Sequence, residues 1–294
     1  MSVAIIINPI AGRAGPSAGR VCAELASATI DRHGERADVL VTERPGHARD
    51  LARAAVGRGA RLVMAWGGDG TINEIAGALA FGHVPIGIVP AGSGNGLARE
   101  LGVNRRPERA IADALRARPR PIDLGELGGR LFVNVAGVGL DAYVALRFGE
   151  SSNRRRGFVK YAEITLRALL AYRPVPYSIA TSSGVTNPRA LFVTFANSAQ
   201  FGNGARIAPD ARIDDGLLDL VIVEERSRWG TLWQVPRLFN GTADRIAGRT
   251  VQRIAEATIE CNQPMVFHVD GEAILGGTRL TARVHPGALQ IAVR

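Results

Sequence analysis

The chain has 294 residues, 46% of them apolar and 21% charged, which is the balance of a globular protein and not of a disordered one. No apolar run reaches the roughly 18 residues of a spanning helix, and Cys22 and Cys261 are too few and too far apart for a disulfide scaffold or a zinc finger. The net charge of +9 points to anionic partners, yet Lys160 is the only lysine, so a P-loop lysine is excluded. Residues 1–10 lack the basic start of a signal peptide, and a cytoplasmic location is expected.

The first 120 residues alternate between strand and helix patterns. Residues 3–7 form a short continuous apolar run ending at Asn8-Pro9, as a buried parallel strand would. A helix is expected over 20–28, a strand over 38–41 and a helix over 46–56. A third strand, 61–65, runs into Gly67-Gly68-Asp69-Gly70-Thr71, and Ile72, Ile75, Ala76 and Leu79 follow at helical spacing. A fourth strand, 84–88, leads to a loop at 90–96 and another helix. This tempo predicts βαβ units on a parallel sheet. Pro119 and Pro121 bracket an expected linker at 118–123, which sets the domains at 1–122 and 123–294.

Beyond the linker, short apolar or alternating runs dominate, at 131–135, 177–181, 190–195, 217–223, 258–260, 266–269, 279–284 and 289–293. They predict a largely antiparallel, sandwich-like domain, interrupted by helices near 157–171 and 229–240.

Chemistry concentrates in the loops. Glycines in Gly67–Thr71 let a backbone approach phosphates closely, and the helix beyond offers its N-terminal N–H groups to an anion. Thr71 is expected to cap that helix. Asp69 would be repelled by phosphate unless a cation lies between them, so holding Mg²⁺ is its natural role; a tight turn with an aspartate cap would use the same residues. Asn8-Pro9-Ile10-Ala11-Gly12 and Pro90-Ala91-Gly92-Ser93-Gly94-Asn95-Gly96 follow two further strands. Three glycine-rich loops at the carboxyl ends of strands are where open α/β sheets bind ligands. Neither flanking loop has the G-x-G-x-x-G form of a dinucleotide dehydrogenase.

These residues resemble the bacterial diacylglycerol kinase and sphingosine kinase family of soluble lipid kinases. Asn8-Pro9 with Gly12, then Thr42 before Gly46-His47-Ala48, are similar to its first nucleotide-binding segments. Gly67–Thr71 with Asn73-Glu74, the Gly-Ser-Gly-Asn loop, Phe201–Gly204, Pro209–Ala211, Asp214–Leu217 and Val269-Asp270-Gly271-Glu272 follow in family order. The resemblance implies an α/β domain like that of NAD kinase and phosphofructokinase, a β-rich lipid-substrate domain, and an active site in the cleft between them. It implies ATP contacts at Asn8, Pro9, Gly12, Thr42, Gly67, Gly68, Asp69, Gly70, Thr71, Asn73, Glu74, Gly92, Ser93 and Asn95, with Mg²⁺ assisting. It also implies that Glu272, supported by Asp270, deprotonates the lipid hydroxyl. A structural Mg²⁺ would sit on the Asp215 carboxylate and the main-chain oxygens of Arg212 and Leu217.

The residues are consistent with that chemistry, because phosphoryl transfer needs positioning, charge neutralisation and a carboxylate to orient the hydroxyl. Arg13 is the expected cation for the ATP phosphates, and His47 is a further candidate to line that site. The expected activity is transfer of the ATP γ-phosphate to a hydroxyl of a diacylglycerol-like lipid. An NAD kinase shares the Gly-Gly-Asp-Gly loop, but Asn73-Glu74 and the Asp-Gly-Glu near the C-terminus count against it. A nucleic-acid binder is disfavoured, since only 5% of residues are aromatic and no dense basic stripe is present. Arg154-Arg155-Arg156 precedes a helix with Phe158, Tyr161, Ala162, Thr165, Leu166 and Leu169 on one side, which is expected to dock on an anionic bilayer. The lipid and the assembly state stay open, a homodimer being one option.

Overall fold

The computed structural model describes residues 2–12, 17–150, 158–202, 204–227, 230 and 233–294. The chain divides into two compact units, one of residues 1–122 with 287–294, the other of residues 123–286. The sequence assigned everything after 122 to the second domain; the last eight residues instead return to the first.

In the first unit the elements alternate as expected: β1 (Val3–Ile7), α1 (Ala18–Asp31), β2 (Ala37–Val41), α2 (His47–Gly57), β3 (Leu62–Gly67), α3 (Asp69–Leu79), β4 (Ile86–Pro90), α4 (Gly96–Glu100) and α5 (Pro107–Arg116). The strands lie in the order β2-β1-β3-β4, all parallel. Every residue of β1 and β3 is buried, which is why both read as unbroken apolar runs. Val3, Ile5 and Ile7 pack with Ala26 and Ile30 of α1 and Ala110, Ile111 and Ala114 of α5. Alternation sends Ala4 and Ile6, equally buried, to the face covered by α2 and α3. The returning segment adds a further parallel neighbour to β4, pairing Ile291 with Ile86.

The second unit is built mostly of strands: β5 (Arg120–Leu127, from Asp123 onward), β6 (Arg130–Phe132), β7 (Val135–Gly139), α6 (Leu140–Glu150), α7 (Phe158–Ala171), β8 (Val175–Pro176), β9 (Ser178–Thr181), β10 (Gly184–Thr186), β11 (Arg189–Ala196), β12 (Gln200–Gly202), β13 (Ala205–Arg206), β14 (Leu218–Glu224), β15 (Arg249–Ile254), β16 (Glu256–Glu260), β17 (Val266–Val269), β18 (Glu272–Leu275) and β19 (Arg279–Ile291, up to Pro286). One antiparallel sheet runs β15-β14-β11-β7-β17-β18, and a second run is β10-β9-β16-β19 with β5 and β6 attached. Their inner faces share one core, in which Phe195, Val193, Val138 and Phe267 meet Ile179, Ile259, Leu280 and Phe132. This is the sandwich-like architecture that the alternating runs predict.

Three expectations are corrected. The stretch 118–123 is not a linker but enters β5, with Ile122 and Asp123 buried; prolines at the start of a strand cost no ladder bond that the strand needs. Of the expected helix 229–240, Gly230 is helical and residues 229, 231 and 232 lie outside the described residues, while the part after 233 has only a short 3₁₀ turn at Val235–Leu238 that includes Pro236. The expected membrane-facing side of α7 is split. Leu169 is buried with Ile164 and Ala168 against Leu140, Val144 and Leu191, while Leu166 and Leu170 are exposed. The arginines at 154–156 lie outside the described residues.

Gly125 of β5 sits directly across from Phe132 of β6, and a Cβ on it would lie 2.1 Å from the ring. The fully buried ring has no room to retreat. Gly125→Ala should therefore destabilise the protein by about 1–3 kcal/mol through overpacking. A melting temperature equal to that of the wild type would contradict this packing.

Candidate active site

The loops after β1, β3 and β4 stand side by side because their strands are neighbours in one parallel sheet. Their backbones touch. A Cβ on Gly92 would lie 2.7 Å from the Cα of Gly68, and one on Gly12 would lie 2.7 Å from the Ala91 carbonyl oxygen. Gly12 also has a φ of +82°, so glycine is required there twice over. Around Gly70, at the start of α3, the space beyond the backbone is open.

Side chains then fix each loop. The Asn8 amide donates to the Thr71 hydroxyl at 2.9 Å, while its carbonyl oxygen accepts the Ile10 N–H at 3.1 Å. Thr71 is thus a buried tie to the first loop and not the helix cap expected; Gly68 occupies the N-cap position of α3. Asn95 takes the left-handed conformation, with φ of 52°, and is buried. Its amide oxygen accepts the Gly92 N–H at 2.8 Å and its NH₂ donates to the Gly92 carbonyl at 2.6 Å. Asp69 is not a bare surface carboxylate: its Oδ1 accepts the Gly96 N–H at 2.6 Å, bracing the third loop.

Glu74, one helical turn further on, accepts the Gly46 N–H at 2.9 Å and the Ala48 N–H at 3.1 Å. Its carboxylate therefore caps the start of α2 and is committed to protein N–H groups. Thr42 follows β2 and donates its N–H to the Ile7 carbonyl. Pro9 packs on Gly19, Ser93 is exposed, and Gly67 is buried against the Thr71 side chain. His47 accepts the Glu43 N–H, and Asn73 lies on α3 among partly buried residues. Arg13 lies outside the described residues.

In the second unit, β17 and β18 form a hairpin through Asp270-Gly271. Both turn residues have positive φ, 45° and 86°, the two-residue turn that suits the twist of a hairpin. Asp270 tolerates this because its carboxylate accepts three main-chain N–H groups, from Val133 and Asn134 at 2.8 Å each and from Val135 at 3.1 Å. Glu272, two residues on, is the exposed first residue of β18. Two carboxylates two residues apart are thus unlike in setting, one holding three main-chain N–H groups and one exposed.

Sequence reasoning missed a buried cluster beneath this turn. The His268 Nε2 lies 3.2 Å from Asp141 Oδ2, which also accepts the Thr194 hydroxyl at 3.0 Å. A Cβ on Gly137 would lie 2.6 Å from that same oxygen, so glycine makes room for the carboxylate. Burial pushes the phenols of Tyr172 and Tyr177 up, and the Asp141 charge adds to the effect. No local pattern joins residues 141, 194 and 268: β11 and β17 bring Thr194 and His268 beside Gly137 of β7, and Asp141 reaches them from the first turn of α6.

The loop 212–217 does not fit a metal ion as it stands. One oxygen of Asp215 accepts the Leu217 N–H and the other pairs with the guanidinium of Arg253. Burial pushes the neighbouring Asp219 carboxyl up, Arg253 opposes this, and Asp215 and Asp210 add to it. Arginine already supplies the positive charge that these carboxylates need.

Residues 2–127 match the diacylglycerol kinase catalytic domain, and residues 134–293 match the YegS C-terminal NAD kinase beta sandwich-like domain. The chain belongs to the family of diacylglycerol kinases and YegS-like lipid kinases. It is 31% identical, over 94% of its length and 91% of the other's, to a Pseudomonas aeruginosa protein named "probable lipid kinase YegS-like". It is 30% identical to a diacylglycerol kinase of Mycobacterium tuberculosis, over 92% of this chain and 88% of that one. A crystal structure of a diacylglycerol kinase from Bacillus anthracis strain Sterne superposes on 100% of this chain and 97% of its own, with a TM-score of 0.75. At 19% identity that likeness shows the fold. Membership places the chain among lipid kinases.

In this lipid kinase family member, the two carboxylates of the hairpin should separate in a stability measurement. Asp270→Asn turns an acceptor oxygen into a donor facing a main-chain N–H, and leaving such a group unsatisfied costs about 1–3 kcal/mol. Scanning calorimetry should show a lower melting temperature for Asp270→Asn and an unchanged one for Glu272→Gln.

Proposed function

We propose that the chain transfers the γ-phosphate of ATP to a hydroxyl of a diacylglycerol-like lipid. In this reading the loops after β1, β3 and β4 bind the nucleotide, with main-chain N–H groups at the start of α3 directed at its phosphates. Close-packed glycines and the open space at Gly70 support it, since phosphate oxygens need backbone without intervening side chains. Mg²⁺ bound with ATP would neutralise charge on the transferring phosphoryl group, and Asp69 is the carboxylate of these loops that would hold it.

Glu272 is the proposed base. It takes the proton of the lipid hydroxyl while that oxygen bonds to the γ-phosphorus and ADP departs. The reading rests on one observation: Asp270 holds three main-chain N–H groups, whereas Glu272 is exposed with its carboxylate directed to no described backbone donor.

Labelled ATP supplied with a panel of lipids in mixed micelles, and with NAD as a control, tests the activity. Labelled lipid is expected; labelled NAD without labelled lipid would replace this reading with that of a nucleotide kinase. Glu272→Gln should lower the rate by roughly 10²–10⁴-fold, the usual contribution of a general base, while ATP still binds.

A lipid acceptor also requires contact with its bilayer. We propose that α7 lies at that surface, supported by the exposure of Leu166 and Leu170 and by the three arginines at 154–156 that precede the helix. Replacing Arg154, Arg155 and Arg156 by Ser should weaken sedimentation with anionic liposomes in a salt-dependent way. Activity on a short-chain soluble lipid should hardly change; equal loss on both substrates would remove the cluster from membrane binding.

A further inference from the structure

The His268–Asp141 pair lies beneath the turn that carries Glu272, yet takes no part in the reaction described so far. His268 is on β17, opposite Ala273 of β18 and Gly137 of β7, and its side chain is 6% exposed. Its Nδ1 receives the N–H of Gly271 at 3.4 Å, a long but directed contact. A main-chain N–H can only donate, so this nitrogen carries no proton. With Nδ1 accepting, the ring proton is on Nε2, which donates to Asp141. Thr194 donates to the same oxygen of Asp141 from β11. The chain of donors runs one way: Thr194 and His268 into Asp141, and Gly271 into His268.

We propose that His268 is a positioning residue for Glu272. Asp141 fixes the ring in the Nε2–H tautomer, the ring's Nδ1 holds the N–H of Gly271, and Gly271 sets the direction in which the next residue, Glu272, leaves the turn. Glycine at 271, with its φ of 86°, has no side chain of its own to fix the backbone, which makes an outside anchor useful. Asp270 secures one end of the two-residue turn through residues 133–135, and His268 secures the other. The assignment rests on the reading of Glu272 as the base.

Two isosteric replacements separate the two ring nitrogens. Asn places an oxygen near Nδ1 and can still accept from Gly271; Gln places an amide near Nε2 and can donate only to Asp141. His268→Gln should lower kcat by roughly tenfold, as a modest misplacement of a catalytic group does, with KM for ATP unchanged. His268→Asn should recover most of that loss. In a Glu272→Gln background the His268→Gln change should have no further effect, because no base remains to be positioned. Equal loss in both backgrounds would show a merely structural role and overturn the proposal. If Glu272→Gln itself retained the wild-type rate, the base assignment would fall, and the positioning role with it. Nitrogen-15 NMR of the intact wild-type chain gives a test free of variants. The unprotonated ring nitrogen of His268 should be Nδ1; finding the proton there would reject the proposal.

Discussion

The hairpin of the second unit depends on one carboxylate. Asp270 gathers three consecutive main-chain N–H groups from residues 133–135, where β6 ends and β7 begins. In return the Asp270 N–H donates to the Val135 carbonyl at 2.8 Å. A charged acceptor serving several N–H groups forms stronger bonds than a neutral one, and here it offsets the positive φ of a residue that is not glycine. The same contacts hold β17 against β7 at the end where Glu272 emerges. Rigidity at this point is a condition for any chemistry at the tip.

The first unit meets the same requirement by different means. Its loops are held by the approach of backbone to backbone at Gly68 and Gly92, and by side chains that bridge from one loop to the next. Asn8 reaches Thr71, Asp69 reaches Gly96, and Asn95 closes its own loop on Gly92. Each polar side chain spends its hydrogen bonds on main chain or on a neighbouring loop, which leaves the glycine edges bare. A surface of backbone without side chains, at the carboxyl end of parallel strands, is what a polyanion needs for close approach.

Much of this was legible in the sequence because the signals are local. The apolar runs of β1 and β3 report burial on both faces, and glycines after three strands report loops of close approach. What was not legible depends on partners remote in sequence. Thr71 reads as a cap until Asn8, 63 positions away, is seen to bond it. Glu74 looks like part of a nucleotide motif, yet its two oxygens hold the N-terminus of α2. Prolines at 119 and 121 suggest a linker because their effect on local conformation is strong, whereas the buried Ile122 that draws the segment into a strand carries a weaker signal. Asp141 and His268 share no motif at all. The Asp215 loop fits its family pattern in residue type, and only Arg253, from the next strand, changes what that pattern can bind.

The return of residues 287–294 to the first unit bears on how the chain is made. Their strand segment lies beside β4, with the Ala292 N–H bonded to the Ile86 carbonyl at 2.8 Å and the Phe81 N–H bonded to that of Ala288 at 2.7 Å. Ala292 also joins the core under α1 and α5. On the ribosome, an N-terminal domain ordinarily folds while the rest is still being synthesised. Here β4 emerges with one edge bare and must wait until all of residues 123–286 have followed. The first domain to begin is therefore the last to be finished, and a fragment cut at residue 122 would keep an open strand edge of the kind that invites association.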